Sequence, residues 1–294
     1  MLAAPLLAGS ACENKKPADT GAISAMDRAS SGSAATVNDT TPLAGIDTSK
    51  LEGDRPAVFF KLVASLSSPC GKAHSLRTSF SSDASCKRAP FAVKYLLALL
   101  EDEQPEAEVR EMYAARYEKP APALGIDVSK APRVGNDDAP VRLVEFFDYE
   151  CPHCATFAPV LHAVSESHKG KLVEYFMMFP IESKHPESRS AAQAAIAASA
   201  QGKFPEMHKL LFEKSPMHGK DAVLGYATAL GLDLTKFAAD YAAASAQVTS
   251  DASQGDKAGV DSTPSLFIND RRYEGPAHPK YIGMWIDEEV AVNR

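Results

Sequence analysis

The stretch FFDYECPHCATF, residues 146–157, sets an apolar run directly against two cysteines separated by Pro152 and His153. Three jobs suit such a pair: half of a zinc site, a structural staple, or a redox disulfide. Structural zinc takes four ligands and usually shows a second closely spaced pair. None exists here, since Cys70 and Cys86 stand well apart in another region and His185 alone would not complete a cage. The flanks favour redox chemistry. VRLVEFF (Val141–Phe147) is short enough for a buried strand, and ATFAPVLHAVSESHKG carries Phe157, Val160, Leu161 and Val164 on one helical face with Gly170 near the stop. Cys151 therefore falls at a helix N-terminus, where unpaired backbone N–H groups and the positive dipole end favour a thiolate. In this reading Cys151 is the nucleophile and Cys154 the buried resolving thiol. His153 adds a donor or positive charge that stabilises the reduced form and makes the disulfide a stronger oxidant. Pro152 fixes the first turn at little cost, because its missing N–H would have had no helical partner.

Nearby acids bear on this chemistry. Glu145 precedes Cys151 within the apolar strand, where an unpaired carboxylate is costly to bury and holds its proton toward neutral pH. A buried acid there relays protons to Cys154; the alternative is an ordinary strand glutamate with its head in water. Asp148 and Glu150 push the other way by repelling a thiolate. If exposed they are screened and worth about 0.5 kcal/mol each, less than the helix terminus supplies.

Outward from the motif, LVEYFMMFPI reads as a second strand ended by Pro180, and an alanine-rich helical insertion follows. SLFIND and RRYEG read as strands either side of an Asn-Asp turn, before a terminal helix over KYIGMWIDEEV. Upstream, VFFKLVASL, FAVKYLLALLEDE and EAEVREMYAARYE have apolar residues at helical spacing and predict a small helical module. KPAPALGIDVSKAPRVGNDDAP, dense in proline and turn formers, predicts a linker. From Glu13 to about Gly45 the composition cannot offset its ordering entropy and predicts a flexible tether. His162, His168, His208 and His218 are expected on helical or turn surfaces, Met177 and Met178 in the core, and Trp285 as the anchor of the last helix.

The chain has 294 residues, 45% hydrophobic, enough for one sizeable core and a smaller second one. Its net charge of −7, with no basic block, offers no footprint for nucleic acid. MLAAPLLAGSAC at the N-terminus is short, apolar and rich in small residues, like an export signal. A secretory signal opens with basic residues and this one does not, so the true start is expected upstream. Cys12 ends a lipobox-like GSAC and is read as a lipidated cysteine, although Gly9 stands where a lipobox has leucine; an ordinary signal-peptidase cut after Ala11 is the alternative. Five cysteines are an odd number. With Cys12 lipidated, Cys70 and Cys86 can form one bond and Cys151 and Cys154 the other, which suits an oxidising compartment.

EFFDYECPHCATFAPVL, then FPI, HP, AAQAA and GKFPEMHKLLF, then LGLDLTKFAADY, and finally GVDSTPSLFINDRRYEG resemble the DsbA-like thioredoxin-fold thiol-disulfide oxidoreductases, in order over about Gly135–Val290. The resemblance implies a thioredoxin fold with a helical insertion and a cis-proline loop against the active disulfide. Pro264 is then the cis residue, and Thr263 faces the cysteines and the substrate backbone. Cys-Pro-His-Cys resembles the strong oxidases, whereas threonine before the proline is shared with isomerases. No isomerase-type dimerisation domain is visible, which favours an oxidase. SPCGKAHSL, AVKYLLALL and EAEVREMYAARY are similar to the three-helix fold of CcmH-type cytochrome c maturation proteins, but their paired cysteines are reduced here to Cys70, with Cys86 at a new spacing. A disulfide stapling a small bundle is preferred there to a thiol relay.

The expected fold class is α/β: a DsbA-like thioredoxin fold with helical insertion (135–294), preceded by a signal segment (1–12), a disordered tether (13–45), a small all-α module (46–119) and a linker (120–134). The expected function is an exported protein disulfide oxidoreductase, periplasmic and lipid-anchored in a bacterial envelope, monomeric, without cofactor or metal. It donates the Cys151–Cys154 disulfide to folding secreted proteins with free thiols and is reset by a membrane redox partner. The alternatives are a reductase or isomerase serving extracytoplasmic thiols such as apocytochromes, and a non-catalytic metal-binding chaperone.

Overall fold

In a computed structural model the structure describes residues 39–120 and 122–293. The signal segment, Cys12 and the tether as far as residue 38 lie outside the described residues. No described helix is long and apolar enough to cross a membrane.

The upstream module folds as α1 (Arg55–Ser65), α2 (Leu76–Ser82), α3 (Ala89–Glu101) and α4 (Glu106–Tyr113), the last continuing into a π-helical turn, Ala114–Glu118. Phe59, Leu62, Val63, Leu96, Leu99 and Tyr113 fill its core. The helix α2 carries no apolar repeat in LRTSFSS. It is set instead by the Ser75 hydroxyl, which accepts the Thr78 N–H at the N-terminus, and by the Cys70–Cys86 disulfide, which ties the segment before it to the segment after it.

Residues 122–134, within the stretch 120–134 expected as a linker, are built into the main domain. Ile126 and Ala131 are buried, and Arg133–Gly135 forms an edge strand, β1, antiparallel to β3 (Leu172–Met178). The central strand β2 (Val141–Phe147) lies parallel to β3 and antiparallel to β4 (Ser265–Ile268), with β5 (Arg271–Arg272) outermost, giving the order β1-β3-β2-β4-β5. The β4–β5 turn is made by Asn269 and Asp270, with φ of 48° and 66°. Their short polar side chains tolerate that left-handed conformation, so the turn forms without glycine.

Period-two alternation sorts the side chains of β2. Val144 and Phe146 pack with Met177, Phe267, Ile126 and Val260 on one face. On the other, Leu143 packs under α5 (Pro152–Ser167) and α10 (Pro279–Val292), beside Phe157, Leu161, Ile282 and Ile286. Phe147 on that same face packs instead with the insertion: α6 (Ser188–Ser199), α7 (Phe204–Lys214), α8 (Lys220–Ala229) and α9 (Leu234–Lys257). Buried alanines from Ala191 to Ala198 let α6 approach its neighbours closely. Glu145 thus sits between two apolar clusters.

The helical module docks on α10. Arg116, carried inward by the π-helical turn, lies over the rings of Trp285 (4.6 Å) and Tyr95 (4.8 Å) and is hydrogen-bonded to Glu288, which has no exposed side-chain surface. Tyr117 donates to the same carboxylate at 2.8 Å, and Arg88 reaches Glu288 and Glu289 at 2.6 and 2.8 Å.

Candidate active site

Cys151 is the N-cap residue of α5, at the point where β2 ends, and Pro152 opens the helix. The turn is wound by Asp148, whose backbone carbonyl accepts the Cys151 N–H at 3.1 Å and whose Oδ1 accepts the Glu150 N–H at 2.8 Å. The Cys151 carbonyl accepts the Ala155 N–H, starting the helical ladder. Both cysteines are free thiols, Cys151 6% exposed and Cys154 fully buried. One sulfur therefore has an opening and the other does not. The Cys151 thiol donates toward the Thr263 carbonyl at 3.4 Å, and its sulfur lies 4.0 Å from His153 Nδ1, too far for a strong hydrogen bond.

Thr263–Pro264 is a cis peptide, and the contact of Cys151 with the Thr263 carbonyl sets the loop before β4 against the cysteine turn. The Thr263 hydroxyl is buried and has no hydrogen-bond partner. It is near enough to oppose the upward shift of the Cys154 thiol weakly, short of a formed hydrogen bond. That shift is large: burial pushes the Cys154 thiol far above its ordinary value, and Glu145, when ionised, pushes it further. A thiolate on Cys154 is thus costly and takes up a proton readily.

Glu145 is 2% exposed. Burial, then the neighbouring Glu174, holds its carboxyl well above the usual range. Glu174 on β3 is the group the sequence reading missed. Burial pushes it up to about 7, against a hydrogen bond from the Ser165 hydroxyl at 2.6 Å that favours its charged form. The signal was present as a repeat: LVEFF in β2 and LVEYF in β3 carry glutamate at the same place. The register pairs Leu143 with Glu174 and Glu145 with Phe176, which puts both acids on the helix-covered face as diagonal neighbours.

Asp148 and Glu150 are not screened surface charges, because both are buried. Asp148 Oδ2 accepts the Ile181 N–H at 2.7 Å and faces His185 Nδ1 at 2.8 Å. Glu150 Oε2 accepts the Glu187 N–H, and its Oε1 faces His218 Nδ1 at 3.4 Å. His218, expected on the surface, is fully buried in the α7–α8 connection, with Nε2 2.8 Å from the Leu211 carbonyl. A carbonyl accepts only, so Nε2 carries hydrogen. These two acids tie the insertion to the active-site turn. His208 is enclosed by Phe147, Phe176, Phe204 and Phe212, and burial lowers its pKa to about 3. Neutral, it can accept from the Tyr149 hydroxyl at 3.0 Å.

The fold therefore brings together Cys151, Pro152, His153, Cys154, Thr263, Pro264 and Glu145, and adds Glu174. Cys70 and Cys86 belong to the helical module and not to this site. Among the described residues no group of three or more His, Cys, Asp or Glu is placed to hold a metal ion.

Residues 127–288 match the Thioredoxin family model Thioredoxin_4, and the chain belongs to that family. Its domain carries the DsbA-like form of the thioredoxin fold. BdbD from Bacillus subtilis in its oxidised form is 25% identical, covers 58% of this chain and 98% of its own, and superposes with a TM-score of 0.51. A thioredoxin-like oxidoreductase from Silicibacter pomeroyi DSS-3 is 30% identical over 54% of this chain and 91% of its own, with a TM-score of 0.48. Among curated proteins, the Na(+)/H(+) antiporter NhaA 1 of Mycobacterium sp. (strain KMS) is 36% identical over 146 residues, 48% of this chain and 24% of the antiporter. The chain thus spans about a quarter of the length of such curated relatives.

Proposed function

We propose that the chain is a thiol-disulfide oxidoreductase of the bacterial envelope that donates a Cys151–Cys154 disulfide to secreted proteins with free thiols. The observation that carries this reading is the asymmetry of the pair. Cys151 sits at a helix N-terminus against the backbone carbonyl of a cis-proline loop, while Cys154 is sealed beneath it beside a buried acid. A substrate thiolate attacks Cys151, the Cys151–Cys154 bond breaks, and its electron pair passes to Cys154, which is protonated. A second substrate thiolate then attacks the substrate sulfur of the mixed disulfide and releases Cys151. The Thr263 carbonyl stands beside the sulfur under attack.

The envelope location, a lipidated Cys12 and a membrane partner that restores the disulfide are parts of the same proposal. The antiporter relatives support work at a membrane surface, since their matching segment belongs to a transport protein's chain. The test is direct: the oxidised protein is mixed with a reduced, unfolded disulfide protein, and disulfides in the substrate are counted with time. Substrate oxidation matched by reduction of Cys151 and Cys154 is expected. Substrate that stays reduced, together with stoichiometric metal that is lost on mutating Cys151, would replace the proposal with the metal-binding chaperone.

A further inference from the structure

We propose that Glu174 is a positioning residue of the exchange site: with Ser165 it keeps a proton beside Glu145, so that Glu145 stays loaded as the acid that quenches Cys154 when the disulfide opens. The inference rests on the oxidoreductase reading and concerns a residue that exchange at Cys151 does not itself require.

The geometry supplies the argument. Glu145 and Glu174 lie on adjacent strands, two register positions apart on one face, within reach of each other's long side chains. That face is otherwise apolar, with Leu143, Phe147, Leu172 and Phe176 around them. Among the described residues, cations on and beside these strands pair with other acids. Arg142 on β2 pairs with Asp270, and Arg133 on β1 pairs with Asp137. Lys171 beside β3 pairs with Asp287. On α10, Glu288 and Glu289 are taken by Arg116 and Arg88. The helix α5 contributes Cys154 at its start, exposed His162 and Glu166, and His168 near Asp287 at its end. Tyr149 also lies near enough to Glu145 to feel a charge there. Two carboxyls sharing an uncharged site cannot both ionise cheaply, so the pair retains a proton.

Opening the disulfide then balances as follows. The substrate sulfur bonds to Cys151 Sγ, the Cys151–Cys154 bond breaks, and its electron pair goes to Cys154 Sγ. The Glu145 carboxyl gives that sulfur its proton, and a proton drawn from solvent by way of Ser165 and Glu174 reloads Glu145. Ser165, half-buried near the far end of α5, joins Glu174 to solvent. It lies about 16 Å along the helix from Cys154, so the proton can be replaced while a substrate chain covers Cys151.

The test measures single-turnover exchange between the oxidised full chain and a small dithiol from pH 5 to 10, as the ratio of Glu174→Gln to wild-type rate, in which the dithiol's own ionisation cancels. Without its like-charged neighbour Glu145 loses its proton about one unit lower. The ratio should therefore start near one in acid and fall to about one tenth in the alkaline range, with Glu174→Asp returning it toward one. A ratio independent of pH, including a uniform loss from damaged packing, would overturn the proposal. Wild-type protein inert toward the dithiol at every pH would instead remove the oxidoreductase reading on which it rests.

Discussion

Cys151→Ser is expected to reduce disulfide transfer to the uncatalysed background, because serine oxygen can neither form the mixed disulfide nor accept the substrate's electrons. The paired variant separates the two sulfurs. Cys154→Ser keeps the accessible nucleophile but removes the thiol that would resolve a covalent complex from within. Mixed disulfides between Cys151 and substrate should then accumulate and be visible as higher-mass bands on non-reducing gels. The assignment of roles rests on burial, with Cys151 partly open and Cys154 sealed. If Cys151→Ser trapped complexes and Cys154→Ser did not, the order of the two cysteines would be reversed.

The second large effect lies at the junction of the helical module with the thioredoxin fold. Glu288→Leu strands Arg116, 3% exposed at its side chain, without its carboxylate. It also removes the acceptor of the Tyr117 hydroxyl. Breaking a buried pair from one side costs about 3–5 kcal/mol, whereas replacing both partners by apolar residues of similar volume is often near neutral. Denaturant unfolding should show that loss for Glu288→Leu and a substantial recovery in Arg116→Met/Glu288→Leu. Exchange at Cys151 in the folded protein should be unchanged, since neither residue touches the site. A loss below about 1 kcal/mol would mean that water reaches Arg116 and that the junction is looser than its packing implies.

The parts of the fold that were legible in the sequence are those where local pattern and burial agree. VRLVEFF is mostly apolar because β2 is central and covered on both faces, and the cysteine pair shortly after it marks the turn into α5. Asn269-Asp270 announced the β4–β5 hairpin by turn chemistry alone. The elements that escaped are held by partners distant in sequence. Helix α2 depends on a cap and a disulfide and not on an apolar stripe. Strand β1 is three exposed residues whose only strand property is pairing with β3.

The site divides in the same way. Cys151, Cys154 and Glu145 could be read from a single segment, because a charged residue inside an apolar strand stands out. Thr263–Pro264 came from resemblance, since no spacing in one chain reports that a loop far downstream folds back on Cys151. His218 was misplaced on the surface because its burial depends on Glu150, 68 positions upstream in the numbering. Glu174 stood in a near copy of the Glu145 segment, yet its meaning appears only when the register of β2 and β3 is known.

The measurement that tests the account most directly is the reduction potential of the Cys151–Cys154 couple, obtained by equilibrating the full chain with glutathione buffers. A disulfide donor, whose reduced form is favoured at a helix N-terminus, should lie above about −200 mV and toward the roughly −120 mV of a strong oxidant. A value near −270 mV, where a thioredoxin-like reductant sits, would contradict the donor role and leave an oxidoreductase working in the opposite direction.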